Sequence, residues 1–166
     1  MNHTNFVANK TVSCMKHTLS TILVLFLSLC LTGCHFRVHR DEDTVITFDQ
    51  LPDAACDFLQ KHFSGITIKE IVCERRASLA QYEVELKGGI DVQFDRNGIC
   101  TEINCKKSAV PDAAMPTEIV QQINERFPGH FVMKYEHDSR IYDIELDDGT
   151  ELTFNRSLRL IDVDRF

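Results

Sequence analysis

The sequence predicts an α+β fold: a tandem repeat in which each unit is one helix followed by about four antiparallel strands, the helices on one face of the sheet. Three observations predict it. The second half of the chain repeats the first. Leu51-Pro52 matches Met115-Pro116 and Phe63-Ser64-Gly65 matches Phe127-Pro128-Gly129 at an offset of 64. Residues 82–86 (YEVEL) match 142–146 (YDIEL), and Phe94-Asp95-Arg96 matches Phe154-Asn155-Arg156, at an offset of 60. Such self-similarity marks one structural unit used twice. Next, apolar residues recur at helical spacing after each matched proline. Finally, the later segments alternate strictly between apolar and polar residues. That pattern packs one face and wets the other, as antiparallel sheets permit.

The elements follow in order. Residues 1–34 hold Lys10 and Lys16 and no acidic side chain. Residues 19–31 read LSTILVLFLSLCL, too short for a comfortable bilayer span and suited to a signal-peptide core. Met15 makes a more usual start than Met1. The run ends in Leu31-Thr32-Gly33-Cys34, which resembles the lipobox of bacterial lipoproteins. Cleavage before Cys34 and its acylation are therefore expected, with two or more acyl chains giving a stable membrane anchor. Residues 35–46 read as a tether. The acidic Asp41-Glu42-Asp43 begins seven residues past Cys34, so the periplasmic side is favoured over surface export.

Repeat one is expected over 47–106 and repeat two over 111–166. Pro52 and Pro116 suit a first helical turn, where the missing N–H is not needed. Ala55, Phe58, Leu59 and Phe63 form one apolar stripe, and Ile119, Val120, Ile123 and Phe127 the other. Gly65 and Gly129 end these helices. Phe131, Met133 and Tyr135 are read as one side of a strand. So are Tyr82, Val84 and Leu86, then Ile90, Val92 and Phe94. Lys87-Gly88-Gly89, Arg96-Asn97-Gly98 and Asp148-Gly149 are hairpin turns. A unit of about 60 residues is marginal alone, so the two should pack as one body.

These twin patterns, F-[SP]-G, then Y-[ED]-[VI]-E-L, a turn and [DE]-[VL]-x-F-[DN]-R, resemble the PepSY-like family, also called β-lactamase-inhibitor-like. Residues 46–52 (ITFDQLP) also resemble that family's lead into its first helix. The resemblance covers about residues 45–166, and the family includes exported proteins of Bacteroides-type bacteria. It implies two tandem repeats in the manner of β-lactamase inhibitory protein, with a concave sheet available to grip a partner. It carries over no catalytic or binding residue.

The chain has 18 basic and 25 acidic side chains and a formal charge of −7, and the part after residue 34 stands at −9. A nucleic-acid partner is excluded, because phosphates need a basic face. No C-x-x-C occurs. Cys56, Cys73, Cys100 and Cys105 read as buried free thiols, although three disulfide pairings stay open. Residues 143–149 (DIELDDG) superficially suggest a calcium loop. That loop needs glycine at its sixth position and glutamate at its twelfth, where this chain has Asp148 and Phe154, so a hairpin is expected. His35 and His39 fall in the tether, His62 beside the first apolar stripe, His130 after Gly129, and His137 in a polar loop. No catalytic, cofactor or metal motif appears, and no enzyme activity or cofactor is expected.

The informative feature is the wet side of the strands. Glu83, Glu85 and Asp91 project from repeat one, and Asp143, Glu145 and Glu151 from repeat two. In a contiguous sheet they form one acidic surface. That surface fits a basic protein face or cationic ligand. The plainer reading is a solvated face charged against aggregation. The expected protein is thus a non-enzymatic, lipid-anchored envelope protein that binds, and inhibits or regulates, another exported protein. The alternative is a small-ligand or peptide sensor using the groove between the repeats.

Overall fold

The computed structural model describes residues 43–165 except 77 and 78. The expected signal segment, Cys34 and most of the tether lie outside the described residues. Nine strands form one sheet in chain order: β1 (Thr44–Val45), β2 (Ile68–Arg76), β3 (Leu79–Leu86), β4 (Ile90–Phe94), β5 (Cys100–Asn104), β6 (Val132–His137), β7 (Ile141–Leu146), β8 (Glu151–Asn155) and β9 (Leu160–Asp164). Every neighbouring pair is antiparallel. Two helices interrupt this meander, α1 (Asp53–His62) before β2 and α2 (Thr117–Arg126) before β6. The architecture is α+β, mostly antiparallel sheet with two helices.

The helices form where the apolar spacing predicts. Ala55 and Leu59 are buried on α1, and Ile119 and Ile123 on α2, each pair one turn apart. Pro52 and Pro116 sit at the N-cap, one position before the expected first turn. The helices stop at the amides of Phe63 and Phe127, which donate to Leu59 and Ile123 carbonyls at 2.9 and 2.8 Å. Gly65 and Gly129 then take positive φ, +82° and +91°, and turn the chain back toward the sheet. The helix residues share one core with Val84, Leu86, Val92, Phe94, Ile103, Ile144, Leu146, Leu152 and Phe154. Each large apolar side chain taken fully from water contributes about 1.5–3 kcal/mol before entropy is set against it.

The halves meet at β5 and β6, through the register pairs Glu102↔Glu136, Ile103↔Tyr135 and Asn104↔Lys134. The linking segment is fastened there as well: Val110 is buried, and its amide donates to the Val132 carbonyl at 2.8 Å.

Three expectations need correction. Phe131 does not continue an inward row with Met133 and Tyr135. It precedes β6 and is 41% exposed, while Val132 is buried. A bulge between Val132 and Lys134 consumes the extra residue and lets Val132 and Tyr135 both face the core. His137 is the last residue of β6 rather than part of a loop, and its Nε2 lies 2.6 Å from the Cys100 carbonyl. The prolines, as noted, cap the helices from outside. Cys56, Cys73, Cys100 and Cys105 are all free thiols. Burial pushes the Cys100 thiol up to about 12, which favours the protonated thiol over the thiolate.

The open face of the sheet as candidate functional site

Strand alternation places one set of side chains opposite the core, and the registers align them in two rows. One row runs Glu70, Glu85, Asp91, Asn104, Lys134, Glu145, Glu151, Asp164 from β2 to β9. The other runs Val72, Glu83, Gln93, Glu102, Glu136, Asp143, Thr153, Asp162. The six carboxylates singled out in the sequence all lie on this face. Glu70, Glu102, Glu136, Asp162 and Asp164 join them, and sequence reasoning missed these. Their signal was present, because each alternates with an apolar neighbour, but the registers of β2, β5, β6 and β9 were needed to align them.

Like charges face each other directly at Glu70↔Glu85, Glu85↔Asp91, Glu102↔Glu136, Glu136↔Asp143, Glu145↔Glu151 and Glu151↔Asp164. Such pairs are destabilising. A few cations offset them. Lys69 Nζ lies 2.6 Å from Glu85, and Lys106 Nζ lies 2.7 Å from Asp91. Lys134 reaches Glu136 at 2.7 Å and Glu102 at 3.4 Å. These are exposed or half-exposed pairs, each of small value in water. The field is visible in the titration directions. Burial, then the charges of Asp91, Glu74 and Glu102, raise Glu83 above the ordinary glutamate range. Burial works to lower Lys134, but the hydrogen bond to Glu136 and the charge of Glu102 outweigh it and raise the ammonium.

The face carries two recesses in matching places. One, of about 270 Å³, is lined by Glu70, Val72, Glu83, Glu85, Asp91 and Lys106. The other, of about 250 Å³, is lined mainly by Lys134, Glu136, Asp143, Glu145, Glu151, Thr153, Asp162 and Asp164. Among the described residues no group of three or more His, Cys, Asp or Glu is placed to hold a metal ion. Asp147 and Asp148, of the calcium-like segment, are occupied in the β7–β8 hairpin. Asp147 Oδ1 accepts the Phe131 amide at 3.1 Å and lies 3.0 Å from His130 Nδ1. Asp148 Oδ1 accepts the Thr150 amide at 3.0 Å, which holds its carboxyl below the usual range.

The family model described as "Putative beta-lactamase-inhibitor-like, PepSY-like" matches residues 38–91 and 80–162. The chain belongs to the PepSY-like family. Three solved structures are similar to this PepSY-like chain. A putative periplasmic protein from the DUF2874 family of Bacteroides vulgatus is 33% identical, with a TM-score of 0.73 over 76% of this chain and 99% of its own. A putative calcium-regulated periplasmic protein of Bacteroides thetaiotaomicron is 33% identical, with a TM-score of 0.72 over 74% of this chain and 97% of its own. A putative periplasmic protein of unknown function from Bacteroides vulgatus is 28% identical, with a TM-score of 0.70 over 75% of this chain and all of its own. No curated protein matches. All three are described as putative periplasmic proteins, which supports a periplasmic or envelope location for this PepSY-like protein.

Proposed function

We propose that this PepSY-like protein is a lipid-anchored, non-enzymatic envelope protein. On this reading it holds another exported protein against the open face of its sheet and acts as an inhibitor or regulator. The two halves are read as copies of one unit, residues 47–106 and 111–166, with both helices on the core side so that the opposite face stays clear. The observation that carries the reading is the continuity of the sheet through β5 and β6. It aligns the carboxylates of both halves on one surface, with recesses four strands apart, about 19 Å at the usual strand spacing. A basic partner surface would relieve the repulsion between the opposed carboxylates, and the field would speed encounter.

The test is crosslinking in the native envelope followed by mass spectrometry, comparing the wild type with Glu85→Lys/Glu145→Lys. The expected result is one dominant partner recovered with the wild type and lost with the double variant. Equal recovery from both, or recovery of none, would overturn the reading. Calcium is titrated in parallel, because a 33% identical relative is described as a putative calcium-regulated protein. Saturable calcium binding on this face with no protein recovered would also overturn it.

A further inference from the structure

We propose that β9 is the docking edge of this surface and takes an extended basic segment of the partner as a tenth strand. The inference rests on the reading above and adds where the partner enters and in what conformation. β9 ends the sheet, and among the described residues no strand pairs with its outer edge. The opposite edge is β1, only two residues long. The two halves differ at this point. The outer edge of β5 is taken by β6, with Ile103 beside Tyr135 and 0% exposed. The matching residue of β9 is Val163, 40% exposed, and Ile161 beside it is 57% exposed. A free edge is normally blunted by charge, bulges or short length. β9 has such a bulge at Ile161, between the pairs Thr153↔Asp162 and Phe154↔Leu160, and carries Asp162 and Asp164, yet it still presents the aliphatic side chains of Ile161 and Val163 on its rim.

The edge is latched rather than closed. The Val163 amide donates to Asp162 Oδ1 at 2.9 Å. An incoming strand's carbonyl can accept that N–H instead, which frees the Asp162 carboxylate for a cation. Asp162 and Asp164 both border the 250 Å³ recess, together with Asp143, Glu145 and Glu151. A tenth strand at about 4.8 Å from β9 would bring its side chains on that side within reach of these acids. Those side chains are lysine or arginine. The side chains on its other side, facing Val163, are aliphatic. A second copy of the chain fits poorly: antiparallel β9–β9 pairing centred on Asp162 or Val163 sets aspartate against aspartate.

The experiment titrates the isotopically labelled full chain with a short peptide alternating Lys and Val, at low salt, and reads amide shifts and hydrogen exchange. A scrambled peptide with a central proline is the control. The expected result is shifts centred on Leu160–Asp164, slowed exchange of the Val163 amide, and binding about tenfold weaker in Val163→Pro. Shifts confined to β3, β4 and β7, with Val163→Pro binding like the wild type, would overturn the edge while leaving the acidic face standing. Absence of binding anywhere on the sheet would overturn both. Concentration-dependent pairing of β9 with itself before peptide is added would overturn the basic-segment occupant.

Discussion

The β4–β5 turn and the β8–β9 turn carry the same hydrogen bonds on different residues. In the first, Asp95 Oδ1 accepts the amides of Asn97 and Ile99 at 2.8 and 2.9 Å. In the second, Asn155 Oδ1 accepts those of Ser157 and Arg159 at 2.9 and 3.1 Å. Both close with an amide returned to the turn's first carbonyl, from Gly98 at 2.9 Å and from Leu158 at 2.8 Å. The left-handed position is therefore glycine in one half, φ +80°, and leucine in the other, φ +55°. The neighbouring helix decides the difference. A Cβ on Gly98 would stand 2.8 Å from the Ala55 backbone nitrogen and 2.9 Å from Pro52 Cβ. On α1, Phe58 packs edge-on against Phe94, ring centroids 5.7 Å apart. The matching residue on α2 is Gln122, whose Nε2 donates to the Leu158 carbonyl at 2.7 Å. One half joins helix to turn by close backbone approach, the other by a side-chain hydrogen bond.

Gly98→Ala should have the largest effect. It adds left-handed strain to a backbone clash, a loss of about 3 kcal/mol read by denaturant unfolding. Gly129→Ala is the control, since its positive φ is alike but nothing lies within 4 Å of the added Cβ. A loss of about 1 kcal/mol is expected there. Equal losses at the two sites would show that close approach plays no part. Next, Gln122→Ala leaves the Leu158 carbonyl without this donor and should cost about 1 kcal/mol, with faster exchange in the β8–β9 turn. A silent Gln122→Ala would break the contrast from the other side.

The smallest effect is a pH dependence confined to the first turn. Burial works to raise Asp95, but the Ile99 and Asn97 amides outweigh it and hold the carboxyl below its ordinary 3.8. Stability from that source is present above the ordinary value and is lost as pH falls through the lowered one. Asp95→Asn, which copies the second turn, should remove this part of the acid destabilisation. Denaturant midpoints measured from about pH 5 to pH 2 would read it. Parallel acid curves for the wild type and the variant would remove the carboxylate from the comparison.

Much of this was legible beforehand because it depends on short-range pattern. The two helices, β3, β4, β7 and β8, and the glycine turns follow from local periodicity. The six carboxylates were found because strict alternation assigns a face without knowing the neighbours. The bulge in β6 was not legible, because an extra residue shows only against a partner strand. For the same reason Phe131 was read inward and His137 was read as loop. β9 was harder still: its Val163 matches Ile103 in sequence, and only position in the sheet makes one a core residue and the other a rim.

The sequence by itself determined the class of fold, the glycine turns and the sign of the open face, since each is written in spacing and charge along a few consecutive residues. The tertiary structure alone decided which strands adjoin, that the halves share one sheet, where Gly98 comes up against α1, and which edge no described strand pairs with. Those are outcomes of contacts between residues far apart in the chain, where register and burial are set by the partner and not by the local pattern.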